Sequence, residues 1–511
     1  MSNKVFTFIH AADLHLGAPF KGLTQMGELE YQEGTSSAEY ASLGKSLFNA
    51  TYKALDRLVQ LCLQRRPHAL LLAGDLYNPE TNGLKSLTAL RQAFLHLQDA
   101  GIVVCLVHGN HDPASLLPPS WVWPENVHAF SAEKVEAVGI FFTPEQGCKL
   151  QAVGQATQDP LAVIYGISHS SAAVTDNLAK KISQEALKYN FNNSPVLQVG
   201  LVHCAVGSPG ASEGEHKPYA PCSLEDLNNP KLNYWALGHI HKRSKLRERP
   251  VAVYPGNTQG LHINEQGSKG CVLVELEAGL DPRLKFCPLA GVEWLQLDFE
   301  LTAQTTVSSI GDELLVNLRE LISTLHIQTS SLQNQSKVEP NLFVDGYIVR
   351  LHLNGRTPLN RYLRENAEYL LASLREQLAF SLGVNGSPFI WLKDIKLNTK
   401  PAQNLELLSQ QDSLLGESLR RLQAAKHNES LHAELLKDAK SPLGFLFANS
   451  SASQAGLLAP NSEEWAELLD EAAALCVDLL WDEEGNFPKQ GETEDDGEDV
   501  NNFNNYPNST R

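Results

Sequence analysis

Short apolar runs and longer amphipathic ones alternate along the first half of this chain. Val5–Ile9 reads as a buried strand, and Leu43, Leu47, Leu55, Leu58 and Leu61 then recur at helical spacing. Ala69–Ala73 predicts a second buried strand, Leu84–Leu97 a second helix and Ile102–Val107 a third strand. This β-α-β-α-β order implies parallel strands with helices packed outside them. Further strand-like runs stand at Ala162–Tyr165, Val196–Val202, Tyr234–Leu237, Val251–Tyr254 and Cys271–Leu276. They are shorter and separated by loops, a pattern that fits a layered α/β sandwich of two sheets.

Near residue 290 the character changes. Leu295, Leu297, Phe299 and Leu301 alternate with polar residues, as in a half-exposed strand. A helix over about 309–326, a polar linker Gln328–Pro340, a strand Tyr347–Leu353, a helix over about 359–382 and a strand Phe389–Leu397 follow. Residues 402–440 are Leu-rich at helical spacing. Trp465, Leu468, Leu469, Ala472, Cys476, Leu479 and Leu480 form an apolar stripe on one more helix, which Asn461 and Glu464 start as a capping box. That stripe serves equally to pack on residues 402–440 or on the small α/β domain before them, or to dock on a coiled-coil partner. Residues 484–511 are rich in acid, Asn and Gly and predict disorder.

A length of 511 residues predicts more than one domain. Hydrophobic residues make up 42% and charged residues 20%, and no run is long and apolar enough to span a bilayer. The start MSNKVFTFIH lacks the features of a signal peptide, and the eight cysteines are scattered without a CxxC pair. Together these predict a reduced, cytoplasmic protein. The net charge is −18; from residue 461 onward fifteen acidic residues stand against Lys489 and Arg511, so −13 lies there and −5 remains for residues 1–460. The acidic total therefore weighs less against nucleic acid than an even spread would.

Five motifs share one placement, each just after an apolar strand-like run: Asp13-Leu14-His15, Gly74-Asp75-Leu76-Tyr77-Asn78, Gly109-Asn110-His111-Asp112, Val202-His203 and Gly238-His239-Ile240-His241. Strand ends of open α/β sheets are where loops converge on ligands. Imidazole and carboxylate donors without cysteine suit a dinuclear centre of Mn, Fe or Zn type, in which one Asp can bridge both ions. Asp-x-His and His-x-His put alternate side chains on one side of an extended segment. His111, between Asn110 and Asp112, suits general acid catalysis or stabilisation of the phosphorane-like state, with Asp112 orienting its ring. A single histidine after a strand is usually a core or surface residue, and Val202-His203 alone says almost nothing; the order and placement of all five motifs carry the argument. His10, His108, His169 and His216 lack such support and read as structural.

Ala12-Asp13-Leu14-His15-Leu16-Gly17, with the GD, GNHD and GHIH segments, resembles the calcineurin-like metallophosphoesterases. Within these the chain looks like the SbcD-type DNA repair exonucleases, in their YhaO-like branch; Tyr234–His241, Tyr254–Gly260 and His262–Glu265 carry that closer likeness. It is strong over residues 4–277 and continuous in layout beyond. It implies a calcineurin-like four-layer α-β-β-α sandwich at 1–290, a small α/β capping domain at 291–400, a helical partner-binding region at 401–483 and the acidic tail at 484–511. By the family pattern Asp13, His15, Asp75 and His241 would hold one metal ion, Asp75, Asn110, His203 and His239 the other, and His111 would be catalytic. The implied ions are two Mn²⁺, the substrate DNA, and the partner an SMC-like coiled-coil ATPase, with a homodimer also within the pattern. Asn78, Lys242, Arg243 and Asn257 would face substrate. Relatives often carry Asp or His where Asn78 stands, and Asn cannot act there as acid or base.

Three activities compete. A DNA nuclease would use the cations of Lys242, Arg243, Lys245, Arg247 and Arg249, which otherwise form only a solvated hairpin. The second is a phosphatase of phosphoproteins or a phosphatase or phosphodiesterase of small phosphoesters; the phosphoprotein subclass carries an Arg shortly after GDxxD, whereas here the chain runs GDLYNPET. A non-catalytic scaffold would have no need of the complete ligand set.

Overall fold

A computed structural model describes residues 5–23, 44, 47–143, 147–153, 159–191, 196–207, 219–333, 344–382, 388–426, 428–432 and 461–481. Leu43, His216, the linker residues 334–340, residues 433–440 and the acidic tail lie outside these. Strands β1 (Val5–Ala11), β2 (Ala69–Ala73), β3 (Val103–Val107) and β4 (Val127–Ala129) run parallel to one another. A second sheet holds β5 (Glu136–Thr143), β6 (Gly147–Ala152), β7 (Ala162–Gly166), β8 (Leu197–His203), β9 (Tyr234–Gly238), β10 (Ser244–Glu248) and β11 (Val251–Tyr254), in the order β10-β11-β9-β8-β7-β5-β6. The chain then returns as β12 (Gly270–Glu277) and β13 (Arg283–Pro288), which complete the first sheet as β13-β12-β1-β2-β3-β4.

Alternation along the strands builds the layers. Phe6, Phe8, Leu71, Val103 and Cys105 of the first sheet meet Ile164, Val199, Leu201, Tyr234 and Ala236 of the second. Their neighbours Ile9, Leu70, Leu72, Val104 and Leu106 point the other way, onto helices α1 (Ala50–Arg65) and α2 (Pro79–Asp99). Val163, Tyr165, Trp235 and Leu237 bury the outer face of the second sheet with α3 (Leu178–Ala186). The result is the expected four-layer α-β-β-α sandwich. Both faces of its central strands are covered, which is why those strands read as continuous apolar runs.

Beyond it stand β14 (Val292–Leu301), α4 (Val307–Gln333), β15 (Gly346–Thr357), α5 (Asn360–Glu365), α6 (Ala367–Leu382) and β16 (Phe389–Pro401), with the strands ordered β14-β15-β16. Helix α4 absorbs the first part of the expected linker, and the helix expected over 359–382 is divided at Asn366. The chain forms two compact units, one of residues 1–299, 307–352 and 367–396, the other of residues 300–306, 353–366 and 397–511. Within the first, Val292, Trp294, Ile348, Phe389 and Trp391 share a core with Phe20, Leu47, Ala50, Leu261 and Ile263. The change of sequence character near residue 290 therefore does not coincide with a gap in packing. Among the described residues no helix is long and apolar enough to cross a membrane.

The second unit contains α7 (Leu405–Ser409), α8 (Leu414–Ala425) and α9 (Ser462–Leu480). The capping box forms: Asn461 Oδ1 accepts from the Glu463 and Glu464 amides, and Glu464 Oε2 accepts from the Asn461 amide at 2.7 Å. One face of α9 packs Ala473 and Val477 on Leu408, Leu415 and Leu419, and buried Trp465 stacks on His432 with ring centroids 4.5 Å apart. Leu468, Leu475 and Leu479 point to solvent. The stripe is thus divided between a core face and a free one. Trp465→Ala should destabilise the chain by about 3–5 kcal/mol, through lost burial and the cavity left behind. Urea unfolding followed by circular dichroism measures this; a change below about 1 kcal/mol would mean that the site collapses without cost.

Candidate metal centre

The parallel strands β1, β2 and β3 of one sheet and β8 and β9 of the other end together, and every motif residue lies on the loop that follows one of them or at the strand's last position. The loops are pressed close. A Cβ on Gly238 would lie 1.8 Å from the Ala73 carbonyl, and one on Gly109 would lie 2.2 Å from Asp75 Oδ1. Only glycine fits at either point, so two of the motifs open with it. Four non-glycine residues here adopt left-handed backbone: Asp13 (φ 52°), His15 (44°), Asp75 (51°) and His239 (108°). Such conformations store strain and persist where the surroundings enforce them.

Ligand atoms come together in three overlapping groups: Asp13, His15 and His241; His15, Asp75 and His111; and Asp13, Asp75 and His203. Asp75 reaches a histidine of each expected ligand set: Oδ2 lies 3.4 Å from His203 Nε2 and 3.8 Å from His15 Nε2, while Oδ1 accepts the His111 amide at 2.8 Å. Asn110 Oδ1 faces His203 Nε2 at 3.0 Å and His239 Nδ1 at 3.2 Å. Asp13 accepts the His239 amide at 3.1 and 3.2 Å, tying the two sheets. All the expected ligands therefore meet in one place.

The far sides of three rings are occupied by protein oxygens. His15 Nδ1 lies 3.1 Å from Asn78 Oδ1, His203 Nδ1 2.8 Å from the Ala73 carbonyl, and His241 Nδ1 2.5 Å from Glu265 Oε1. Each contact calls for a proton on Nδ1 and turns Nε2 toward the centre. His15 Nε2 and His241 Nε2 then face each other at 3.1 Å. Two lone pairs at that distance repel unless a proton or a metal ion lies between them; burial alone would lower His241, but Glu265 and Asp13 raise it above the ordinary imidazole range, so the pair attracts a cation and the donor set fits a metal ion. Burial takes His15 down to about 3 and keeps it neutral, as a ligand must be. Burial alone would lower His203 too, but the Asp75 and Asp13 carboxylates hold it up at about 9. The centre thus draws positive charge, from a proton or from a metal ion that replaces it.

His111 is exposed, its ring edge-on to His15 at 4.9 Å. A cavity of about 500 Å³ opens beside it, lined by Lys21, Asn78, Tyr219 and Glu265 and by the expected ligands Asp75, Asn110, His239 and His241. Asp112 does not orient that ring. It is fully buried, Oδ1 accepts the Gly109 amide at 2.8 Å, and Oδ2 accepts the Leu76 amide at 3.1 Å and faces His108 Nδ1 at 3.3 Å. The turn sends adjacent side chains opposite ways, so Asp112 braces the GNHD loop from beneath. Asn78 meets His15, and the Asn257 amide group donates to Glu265. The basic run is largely engaged: Arg243 stacks on Phe286 at 3.9 Å, Lys245 pairs with Glu248 and Arg249 with Asp281. Lys242 is exposed. Sequence reasoning missed the contacts of Glu265, Asn78 and the Ala73 carbonyl; the motif around Glu265 was its only visible sign.

Residues 6–243 match the calcineurin-like phosphoesterase family. The chain is 33% identical over 308 residues to the metallophosphoesterase YhaO of Bacillus subtilis, covering 60% of this chain and 65% of that protein. It is 25% identical over 276 residues to the DNA double-strand break repair protein Mre11 of Methanocaldococcus jannaschii, covering 52% and 62%. A segment of 108 residues is 29% identical to the protein of that name from Aeropyrum pernix, 21% of each chain. The matches thus span less than two thirds of these relatives' own lengths.

Proposed function

We propose, from the premise that residues 6–243 form a domain of the calcineurin-like phosphoesterase family, that this chain is a hydrolase with two divalent metal ions that cleaves phosphodiesters in DNA. The observation that carries the reading is the pair of facing Nε2 atoms of His15 and His241, with both Nδ1 protons committed elsewhere. Asp13, His15, Asp75 and His241 would hold one ion; Asp75, Asn110, His203 and His239 the other. When bound, such a pair generates a hydroxide nucleophile and neutralises the phosphate oxygens. Asn78 keeps His15 in the donor tautomer. Asp112 fixes the loop that presents His111, and His111, exposed at the cavity, gives its proton to the leaving oxygen. The DNA assignment leans on the likeness to proteins named for DNA double-strand break repair. Mn²⁺ and a coiled-coil ATPase partner belong to the same proposal, with the outward Leu468, Leu475 and Leu479 of α9 as a surface for that partner.

A second reading, hydrolysis of small phosphodiesters, is favoured by one observation: most of the basic run is already paired or stacked. Metal-stripped protein restored with Mn²⁺ should degrade end-labelled duplex or single-stranded DNA. Activity on bis-p-nitrophenyl phosphate with intact DNA would select the second reading, and no activity on either would reject both. The double variant Lys242→Glu, Arg243→Glu should lower DNA cleavage about tenfold at moderate salt and spare the small diester, because phosphate contacts away from the scissile bond serve only a long polyanion. Equal loss on both substrates would make these residues supports of the fold.

A further inference from the structure

We propose that Glu265 is a positioning residue for the first metal ion, acting through His241 and setting the affinity of that ion alone; this rests on the dinuclear reading above. Glu265 lies in the stretch after β11, outside the five ligand-bearing motifs. Its carboxylate is nearly enclosed and fully engaged. Oε1 accepts the His241 Nδ1 proton at 2.5 Å, and Oε2 accepts the Asn257 amide group at 2.9 Å and the Leu261 amide at 2.6 Å.

The loop behind it is fixed in turn. Asn257 Nδ2 also donates to the Gln259 carbonyl, and Gln259 bonds the backbone of Gly291 and Val292 at 2.7–3.2 Å. The buried Trp294 indole donates to the Gly260 carbonyl at 2.9 Å. The carboxylate therefore cannot swing away, and it holds one tautomer and one ring orientation of His241.

The three histidine rings braced through Nδ1 differ in what braces them. His15 has a neutral amide oxygen from Asn78 and His203 has a backbone carbonyl. His241 alone has a formal negative charge. A carboxylate on Nδ1–H strengthens Nε2 as a donor and places an anion one ring away from the cation. All side-chain hydrogen bonds of Glu265 among the described residues run to His241, Asn257 and Leu261, so its influence falls on the ion that His241 holds.

The test is calorimetric titration of chelator-stripped protein with Mn²⁺, comparing wild type, Glu265→Gln and, as a marker of the first ion, His241→Ala. Wild type should take up two ions. In E265Q the binding step that H241A abolishes should weaken 10- to 100-fold, with the other step unchanged. E265D keeps the charge one methylene further back; its loss should be smaller and confined to the same step, and it serves as the readout should E265Q fail to fold. Unchanged affinity for both ions overturns the proposal. An equal fall in both overturns it as well, since it would show general collapse of the loop. Fewer than two ions in wild type would instead bring down the dinuclear reading itself, whatever Glu265 does.

Discussion

Asp75→Asn is expected to reduce phosphodiester hydrolysis by about a thousandfold and to empty at least one metal site. The carboxylate lies between the two ligand sets, reaching His203 and His15 through Oδ2 and the His111 amide through Oδ1. The neighbouring histidines hold it ionised against the effect of burial, well below the usual carboxylate range. A charge shared by two cations counts toward both, and an amide of the same size removes it from both at once. The amide also has only one oxygen able to ligate a cation, where the carboxylate has two. Losing one electrostatic group at a reacting centre costs roughly 10²–10³ in rate, and loss of metal adds to that. Elemental analysis and turnover, measured on the same preparation, decide the matter. A variant with near-normal metal content and rate would show that Asp75 does not bridge.

His111→Ala should separate the two quantities. Turnover on DNA is expected to fall about 10²–10⁴-fold, with both ions retained. The ring is exposed, edge-on to His15, while its backbone amide binds Asp75; the amide contact survives the substitution. The loss should be smaller on bis-p-nitrophenyl phosphate, because a phenolate of low basicity leaves with little help from an acid. His111 also lies within ligand reach of His15 and Asp75. Loss of about half the metal would therefore make it a ligand instead.

The strands that carry the ligands were legible because β1, β2, β3, β8 and β9 are buried on both faces and read as apolar runs. The ligands were legible because each stands at the end of such a run. β5, β6, β10 and β13 were not, since half-exposed and edge strands mix charge with apolar residues; Arg283–Pro288 alternates Arg and Lys with Leu and Phe. Contacts at long range were hidden for another reason. Nothing local in the sequence says that Ala73 braces a ring 130 residues away, or that Glu265 reaches back 24 residues to His241. Adjacency misled at Asp112, where the turn parts neighbours that the motif sets side by side. Charge misled at Arg243 and Arg249, whose partners Phe286 and Asp281 lie 43 and 32 residues away in the chain.

The left-handed backbone at Asp13, His15, Asp75 and His239 bears on how such a chain drifts under mutation. Each of these residues costs of order 1–3 kcal/mol that glycine, and in part asparagine, would relieve. Replacement by glycine would relieve the strain at each of the four but would also remove buried side-chain contacts, such as those of Asp13 with the His239 amide and of Asp75 with the His111 amide. Aspartate and histidine stand at all four. Strained torsions of this kind cluster where a side chain is needed at one fixed place, and here all four fall within the candidate metal centre.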